Sequence, residues 1–268
     1  ANPTLGETFV VCGLGLIGLL TAQLLKANGC NVLGLDLNPQ KIIIAQSLGI
    51  KSLNATNDKE AISWCLKMTN NVGVDGFLIT SATSSNSPID IASQSCRQRG
   101  RIILIGTSGI NINRDYFYKK ELTFKVSCSY GPGRYDPIYE ENGVDYPLGF
   151  VRWTEKRNFE AILQTLKQKK LKVKDLITNK FEISEARSAY QLLNKDESSI
   201  GILFLYNKAG LQKTNSIKFK DFIDNQSTIG ISVIGAGNYS KRVLMPILSK
   251  QNINFQTVFS RNGLDSTL

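Results

Sequence analysis

The chain has 268 residues, 42% hydrophobic and 20% charged, so it can form one or two packed domains and is too apolar for wholesale disorder. Its 32 basic and 22 acidic residues give a net charge of +10, which permits acidic partners without requiring them. Histidine is absent, so the sequence contains no His-based metal site, His-activated nucleophile or imidazole acid–base.

Short apolar runs alternate with amphipathic segments over residues 6–128, which is the pattern of βα units that build a parallel sheet. The predicted strands are Thr8–Cys12, Asn31–Leu35, Lys51–Leu53, Gly76–Thr80, Arg101–Ile105 and Leu122–Ser127. The predicted helices are Leu16–Asn28, Pro39–Leu48, Lys59–Thr69 and Pro88–Arg97. Six strands with interleaved helices predict an α/β fold with a Rossmann-type doubly wound parallel sheet.

The amino-acid composition of the sequence changes after residue 128. Residues 129–153 are rich in Gly, Pro and Tyr and predict a long structured loop. Two helices, Thr154–Lys169 and Ile183–Asn194, and a strand, Ile200–Tyr206, are predicted next, followed by a polar linker over 207–228. From residue 229 the opening pattern of strand, glycine turn and helix returns, with a second strand predicted at Phe255–Phe259.

The strongest motif is the run Gly-Leu-Gly-Leu-Ile-Gly at 13–18, directly between the first predicted strand and helix. Gly13 would allow the tight turn, Gly15 a close approach of a diphosphate, and Gly18 the packing of helix on strand. The amides of Leu16 and Ile17, at the positive end of the helix dipole, would hold the phosphates. The motif therefore predicts dinucleotide binding; a purely structural glycine turn is the alternative.

Asp36 ends the second predicted strand, 18 residues after Gly18, where a carboxylate can accept hydrogen bonds from ribose hydroxyls. It would repel a 2′-phosphate, and no arginine follows at once, so NAD is favoured over NADP. Binding of S-adenosylmethionine, which also uses a glycine turn and an acidic residue on the second strand, is a competing interpretation.

Residues 13–49, 73–80 and 97–106 resemble the coenzyme domain of the medium-chain dehydrogenases, the zinc-type alcohol and threonine dehydrogenase superfamily. The likeness continues through 175–193 and 198–206. It implies hydride transfer between NAD(H) and an alcohol or carbonyl substrate, with Thr80, Ser81 and Gly106 lining the coenzyme cleft. It also implies a homodimer that pairs through the edge strand at 122–127. The strand at 200–206 would lack the partner strand that it has in the family, and we expect it to dock on the remaining domain or on a neighbouring chain.

The second copy of the strand, glycine turn and helix pattern, residues 231–248 with 259–263, is similar to the start of the glucose–fructose oxidoreductase and inositol dehydrogenase family. Together with 129–137 and 150–159, it resembles two-domain bacterial oxidoreductases of surface-polysaccharide biosynthesis. This likeness implies a sugar or nucleotide-sugar substrate. Arg261, after the second strand, would meet a 2′-phosphate in an intact domain.

The resemblance also defines what we expect to be missing. In medium-chain dehydrogenases the zinc ligands belong to an N-terminal barrel-like domain, which this sequence lacks. We therefore expect an NAD-binding Rossmann domain over 1–128, a remnant of the catalytic domain over 129–206, the linker, and a truncated second dinucleotide-binding domain over 229–268. Such a segment would bind coenzyme and catalyse nothing alone; a non-catalytic NAD sensor or scaffold is the alternative.

Other features predict partners and compartment. The five cysteines are odd in number and lack any Cys-x-x-Cys pair, which indicates reduced thiols and a cytoplasmic protein. The uncharged stretch 9–25 contains three glycines and lacks a basic flank, so no membrane segment is expected. The lysines between 167 and 174 have no interleaved aromatic residues, so we expect a solvated face and no nucleic-acid partner. Tyr116 and Lys120 match a Tyr-x-x-x-Lys pair of short-chain dehydrogenases by chance.

Overall fold

A computed structural model describes residues 1–195, 199–206, 229–251 and 253–260 of the chain. The chain divides into two units, Ala1–Ala209 and Gly210–Leu268.

The first unit opens with six strands and five helices in alternation. The strands are β1 Thr8–Cys12, β2 Asn31–Asp36, β3 Lys51–Asn54, β4 Val74–Ile79, β5 Cys96–Leu104 and β6 Thr123–Val126. The helices are α1 Leu16–Ala27, α2 Pro39–Ser47, α3 Asp58–Met68, α4 Ser87–Ser95 and α5 Arg114–Lys120. The strands form one sheet in the order β3-β2-β1-β4-β5-β6, and every neighbouring pair is parallel. This order confirms the predicted doubly wound α/β fold.

The sheet is covered on both faces, because successive side chains of a strand point to opposite sides. On β1, Phe9 and Val11 join a core cluster with α1 and α2, whereas Val10 joins a second cluster with α3 and α4. All three side chains are fully buried. This double coverage explains why the central strands are apolar almost without interruption.

Asparagine side chains cap three of the described helices. Asn38 accepts a hydrogen bond from the Gln40 amide at the start of α2, and Asn57 accepts from the Lys59 and Glu60 amides at the start of α3. Asn113 accepts from the Asp115 amide at the start of α5. Such caps satisfy amides that have no partner within the helix. Pro39 occupies the first helical position of α2, where its missing N–H costs no hydrogen bond.

The end of the fourth helix differs from the prediction. The helix predicted to end at Arg97 ends at Ser95, and Cys96 and Arg97 already belong to β5. Two tertiary contacts decide this boundary: Cys96 pairs with Val74 of β4, and Arg97 forms an ion pair with Asp75. The seven-residue helix α5 was not predicted.

The rest of the first unit contains a long loop and a small sheet. The elements are α6 Pro137–Glu140, α7 Glu155–Lys167, β7 Ile177–Glu182, α8 Ala186–Lys195 and β8 Gly201–Leu205, with short 3-10 turns before β7 and α8. The strand predicted at 200–206 pairs in parallel with β7, which was not predicted. Leu176 and Ile200 are buried in the same cluster as α1, so this region packs on the Rossmann sheet.

The predicted loop at 129–153 is ordered by contacts to the start of α7. Arg157 donates hydrogen bonds to the Val151 and Tyr146 carbonyls and forms an ion pair with Asp145. Asn158 donates to the Tyr130 carbonyl. The loop therefore has a defined path although it contains only one short helix.

The described residues of the second unit, 229–251 and 253–260, form a parallel βαβ arrangement. Its elements are β9 Ile229–Ile234, a π-helical turn Ser240–Leu244 that continues into α9 Met245–Leu248, and β10 Ile253–Phe259, which pairs with β9. Strand, glycine turn, helix and strand follow in the predicted order. Across the described residues of both units, no helix has the length and apolar character needed to cross a membrane.

Candidate functional site

The β1–α1 turn lies at the carboxyl ends of the strands, where the strand order reverses and where open α/β sheets bind ligands. The Gly13 amide donates a 2.8 Å hydrogen bond to the Leu35 carbonyl, which ties the turn to β2. Gly13 has a φ of +98°, and a Cβ built on it would lie 2.5 Å from the Ser81 amide nitrogen. The protein's own backbone therefore requires glycine at position 13.

Gly18 is required by the packing of α1 on this turn. A Cβ there would lie 1.8 Å from the Gly13 carbonyl oxygen and 2.9 Å from the Thr80 hydroxyl. Even alanine would push the helix away from the strand. This confirms the packing reason that the motif predicted for Gly18.

Gly15 differs from both, because a Cβ built on it would meet no protein atom within 4 Å. Its φ of −68° and ψ of −169° are accessible to any residue, and no side chain caps the helix. The next residues, Leu16 and Ile17, are 41% and 57% exposed. Their amides lie in the first turn of a 12-residue helix, where no intrahelical acceptor exists. The turn therefore presents open space and free donors.

Asp36 lies at the end of β2, and backbone amides fix its carboxylate. Oδ2 accepts a 2.6 Å hydrogen bond from the Leu14 amide, and Oδ1 accepts a 2.8 Å bond from the Asn38 amide. A carboxylate has about four acceptor positions, so two remain for a ligand. Asp36 thus joins the glycine turn to the end of β2, and Leu14 is a contributor that sequence reasoning did not single out.

Thr80, Ser81 and Gly106 follow β4 and β5 on the other side of the turn. The Thr80 hydroxyl donates to the Gly13 and Cys12 carbonyls, at 2.6 and 3.0 Å, so it holds the turn in place. A Cβ on Gly106 would lie 2.1 Å from the Ser81 carbonyl oxygen. The Ser81 hydroxyl is buried and has no hydrogen-bond partner among the described residues.

The Tyr-x-x-x-Lys pair has a structural explanation. Lys120 Nζ donates to the Ser93, Gln94 and Cys96 carbonyls at 3.0, 2.7 and 2.8 Å. These carbonyls end α4, where a cation complements the helix dipole. Burial lowers the pKa of Lys120.

The second glycine turn repeats the backbone geometry of the first. The Gly235 amide donates a 2.8 Å hydrogen bond to the Phe259 carbonyl, Gly235 has a φ of +89°, and a Cβ on Gly237 would meet nothing within 4 Å. Ser240, at the third position of the motif, is buried. Arg261, predicted to follow the second strand, lies outside the described residues.

The described part of the chain lacks the side chains of a metal site. No group of three or more Cys, Asp or Glu side chains that could hold a metal ion occurs there, and the sequence has no histidine. The described residues therefore do not fit a zinc site.

Comparison with known proteins agrees with this geometry. The profile of a family described as zinc-binding dehydrogenase matches residues 17–141, a segment shorter than half of the chain. The matched segment contains α1 from Ile17 onward and the whole of β2 to β6.

Individual proteins are similar to a longer part of the chain than residues 17–141. Sorbitol dehydrogenase of Halalkalibacterium halodurans is 26% identical over 200 residues, which cover 72% of this chain and 50% of the relative. The crystal structure of 2R,3R-butanediol dehydrogenase from Bacillus subtilis matches with a TM-score of 0.62 and 22% identity, over 77% of this chain and 53% of that one.

A protein described as a short chain alcohol dehydrogenase (rspB) from E. coli CFT073, solved in complex with NADH, matches with a TM-score of 0.57 and 19% identity, over 75% of this chain and 52% of that one. The chain thus spans about half the length of the relatives it matches. At these identities the solved structures establish the fold.

Proposed function

We propose that this chain is the coenzyme-binding part of an NAD(H)-dependent dehydrogenase of the medium-chain type. The open space at Gly15 carries the proposal. Gly13 and Gly18 are explained by contacts within the protein, whereas neither packing nor backbone conformation requires glycine at position 15. The close approach of a diphosphate to the start of α1 does require it.

The residues around the turn fit a dinucleotide. The amides of Leu16 and Ile17, with the positive end of the α1 dipole, would hold the diphosphate. The two free acceptor positions of Asp36 would receive the adenosine ribose hydroxyls. Thr80, Ser81 and Gly106 would flank the second nucleoside, on the opposite side of β1.

The charge of Asp36 favours NAD over NADP. A 2′-phosphate would meet a carboxylate already fixed by two amides, and the following residues, Leu37, Asn38 and Pro39, carry no positive charge. The similar alcohol dehydrogenase from E. coli was solved with NADH bound, which is consistent with this preference.

The reaction we propose is hydride transfer between an alcohol or carbonyl compound and the nicotinamide ring, which supplies the redox chemistry when bound. This chain's residues bind and orient the coenzyme, and we assign no catalytic residue among them. A sugar or nucleotide sugar is the finer substrate proposal. The sorbitol dehydrogenase relative, named for a polyol, supports it.

Calorimetric titration with NADH, NADPH and S-adenosylmethionine tests the proposal. We expect the wild-type chain to bind NADH most tightly and Asp36→Ala and Gly15→Val to lose that binding. Gly237→Val is the matched control, because it adds the same side chain at the equally open position of the second turn. NADH binding should survive in this variant.

Each alternative has its own outcome. Binding of S-adenosylmethionine with indifference to NADH would replace the dehydrogenase by a methyl-transfer enzyme. Loss of NADH binding in Gly237→Val but not in Gly15→Val would move the site to the second unit. NADH binding without turnover of alcohols or sugar nucleotides by the complete protein would leave a sensor or scaffold.

We also propose a homodimer that pairs through β6. Among the described strands β6 is hydrogen-bonded to β5 alone, so it is one of the two edges of the sheet, with Thr123, Lys125 and Val126 exposed. An unpaired edge strand is a ready template for a second copy. Sedimentation velocity should find a dimer for the wild type and a monomer for Val126→Pro, because the Ser127 amide bonds β5 and the Val126 amide therefore faces the free edge. A wild-type monomer would contradict this proposal.

The remaining proposals concern the second unit and the compartment. Its repeat of the glycine-turn geometry supports an origin in the glucose–fructose oxidoreductase family and, with it, a role in polysaccharide biosynthesis. A cytoplasmic location is proposed from the unpaired cysteines, all five of which are free thiols.

A further inference from the structure

The loops that follow β4 and β5, residues 80–86 and 105–112, are bonded to each other and are called the paired loops. Ala82 and Thr107 form a parallel bridge beyond the ends of the two strands. Three backbone hydrogen bonds run along the loops: Thr107 N to Ser81 O at 3.0 Å, Thr83 N to Thr107 O at 2.9 Å, and Gly109 N to Ser85 O at 2.9 Å. The pairing of β4 with β5 therefore continues past the sheet.

The side chain of Asn86 completes this ladder. Its Oδ1 accepts a 2.8 Å hydrogen bond from the Asn111 amide, and its Nδ2 donates a 2.9 Å bond to the Asn111 carbonyl. The side-chain amide thus pairs with the Asn111 backbone as a peptide group would. Nδ2 also donates to Asp90 Oδ2 at 2.9 Å, which fixes the orientation of the amide.

The Asn86 side chain makes this contact instead of capping the helix that begins beside it. It occupies the N-cap of α4, a position at which asparagine normally bonds the first amides of the helix, yet its side chain makes no capping hydrogen bond. The Ser87 amide is instead bonded by Ser85 Oγ at 3.1 Å. A residue that departs from its local preference in favour of a tertiary contact is expected where function demands a fixed geometry.

The paired loops adjoin the phosphate turn. Ser81, at their start, lies in close contact with both Gly13 and Gly106, since a Cβ on either glycine would lie within 2.5 Å of its backbone. β2, with Asp36, and β4 flank β1 on opposite sides. A dinucleotide whose diphosphate lies at the turn and whose adenosine ribose meets Asp36 must place its second nucleoside beside the paired loops.

We infer that Asn86 is a positioning residue, which holds the loop at 105–112 in place beside the nicotinamide nucleoside. The inference rests on the proposed function, because it requires a dinucleotide at the Gly15 turn. Asn86 acts through the backbone of Asn111. Its loss should therefore weaken contacts to the second nucleoside and leave those to adenosine and diphosphate intact.

Titration of NADH against ADP separates these contacts, because ADP lacks the second nucleoside. For Asn86→Ala we expect the Kd for NADH to rise about five- to tenfold and the Kd for ADP to change less than about twofold. Hydrogen exchange of the Asn111 amide should accelerate in the same variant. Asn31→Ala is the control, because Asn31 also donates to a backbone carbonyl, that of Gly6, but at the amino-terminal end of β2, the end opposite to the glycine turn.

A second variant covers the case in which Asn86→Ala does not fold. Asn86→Asp keeps the acceptor for the Asn111 amide but loses both donated bonds and places a negative charge beside Asp90, so it should weaken NADH binding selectively too. Equal weakening of NADH and ADP, or of neither, overturns the inference and leaves the proposed function standing. Failure of the wild type to bind either ligand overturns both.

Discussion

Glycines 13, 15 and 18 of the first turn have different neighbours, so substitutions at two of them should have different consequences. Gly18→Ala brings a Cβ to 1.8 Å from the Gly13 carbonyl oxygen, whereas Gly15→Ala meets nothing within 4 Å. We expect Gly18→Ala to lower the free energy of unfolding by about 2 kcal/mol or more, because a packed helix must shift. Gly15→Ala should unfold at the wild-type stability or slightly above it.

Denaturant unfolding of both variants, followed by circular dichroism, measures this difference. NADH titration measures the effect on coenzyme binding: the Gly15→Ala variant should bind NADH more weakly than the wild type while remaining fully folded. A Gly15→Ala variant as unstable as Gly18→Ala would show that position 15 also serves the fold, which would remove the main support for the proposed ligand site.

The glycine run and Asp36 were recognisable in the sequence because their spacing is set by local chain geometry. The Leu14 amide and the Thr80 hydroxyl, which fix Asp36 and the turn, were not assigned these roles. Thr80 lies 67 residues from Gly13 in the sequence, so its hydrogen bond exists only because β4 lies beside β1. Asn86 was missed for a related reason: before Ser-Pro it looks like an ordinary helix cap.

At the scale of elements, ion pairs fasten the amino-terminal ends of the strands. Asp75 pairs with Arg97 and Glu7 with Arg101, both at 2.6 Å. Burial raises the pKa of each carboxyl. For Asp75 this is outweighed by the Thr8 amide and Arg97, and for Glu7 by Arg101 and the Thr4 amide, so both pKa values lie below the ordinary range.

A carboxyl whose pKa is lowered by folding stabilises the protein above its unfolded pKa and loses that contribution as the pH falls through the folded value. We therefore expect stability to fall between about pH 5 and pH 2. Asp75→Asn and Glu7→Gln should each lose up to about 1 kcal/mol at pH 7 and show a flatter acid response.

Urea unfolding at a series of pH values measures that slope. Glu160→Gln, on an exposed position of α7, is the control and should keep the wild-type slope. An unchanged slope in the double variant of Asp75 and Glu7 would mean that other carboxyls govern the acid response.

The elements that the sequence did not predict lack an apolar pattern of their own and form through contacts with other parts of the chain. Helix α5 has no buried residue and ends with Glu121 in a left-handed conformation, so it lacks an apolar stripe. Strand β7 is polar at Thr178, Asn179 and Lys180 and pairs only with β8, more than twenty residues away. The central strands were predictable because burial on both faces makes them continuously apolar.

For the whole molecule, the packing of the core decides which thiols can react. Burial raises the pKa of Cys12, Cys65 and Cys96 to about 12, and Cys30 is buried with a raised pKa, whereas Cys128 is exposed. Because the thiolate is the reactive species, we expect one fast-reacting thiol per native chain.

Titration with a thiol-specific chromogenic disulfide should give one rapid equivalent, and the other four only after unfolding. Cys128→Ser should abolish the rapid phase without changing the free energy of unfolding. Rapid modification of Cys30 in the native protein would contradict this expectation and indicate opening at the amino-terminal end of β2, where Cys30 donates to the Thr4 carbonyl.

The sequence by itself determined the α/β class, the six strands that alternate with helices, and the position of the glycine turn with its acidic partner, because each depends on local periodicity or fixed spacing. Tertiary structure alone decided where α4 ends, which strand pairs with β8, and which glycine is left to a ligand. These depend on atoms far apart in the chain that meet only when the sheet forms: the Gly13 carbonyl meets Thr80, and Ser81 lies between two glycines 93 residues apart.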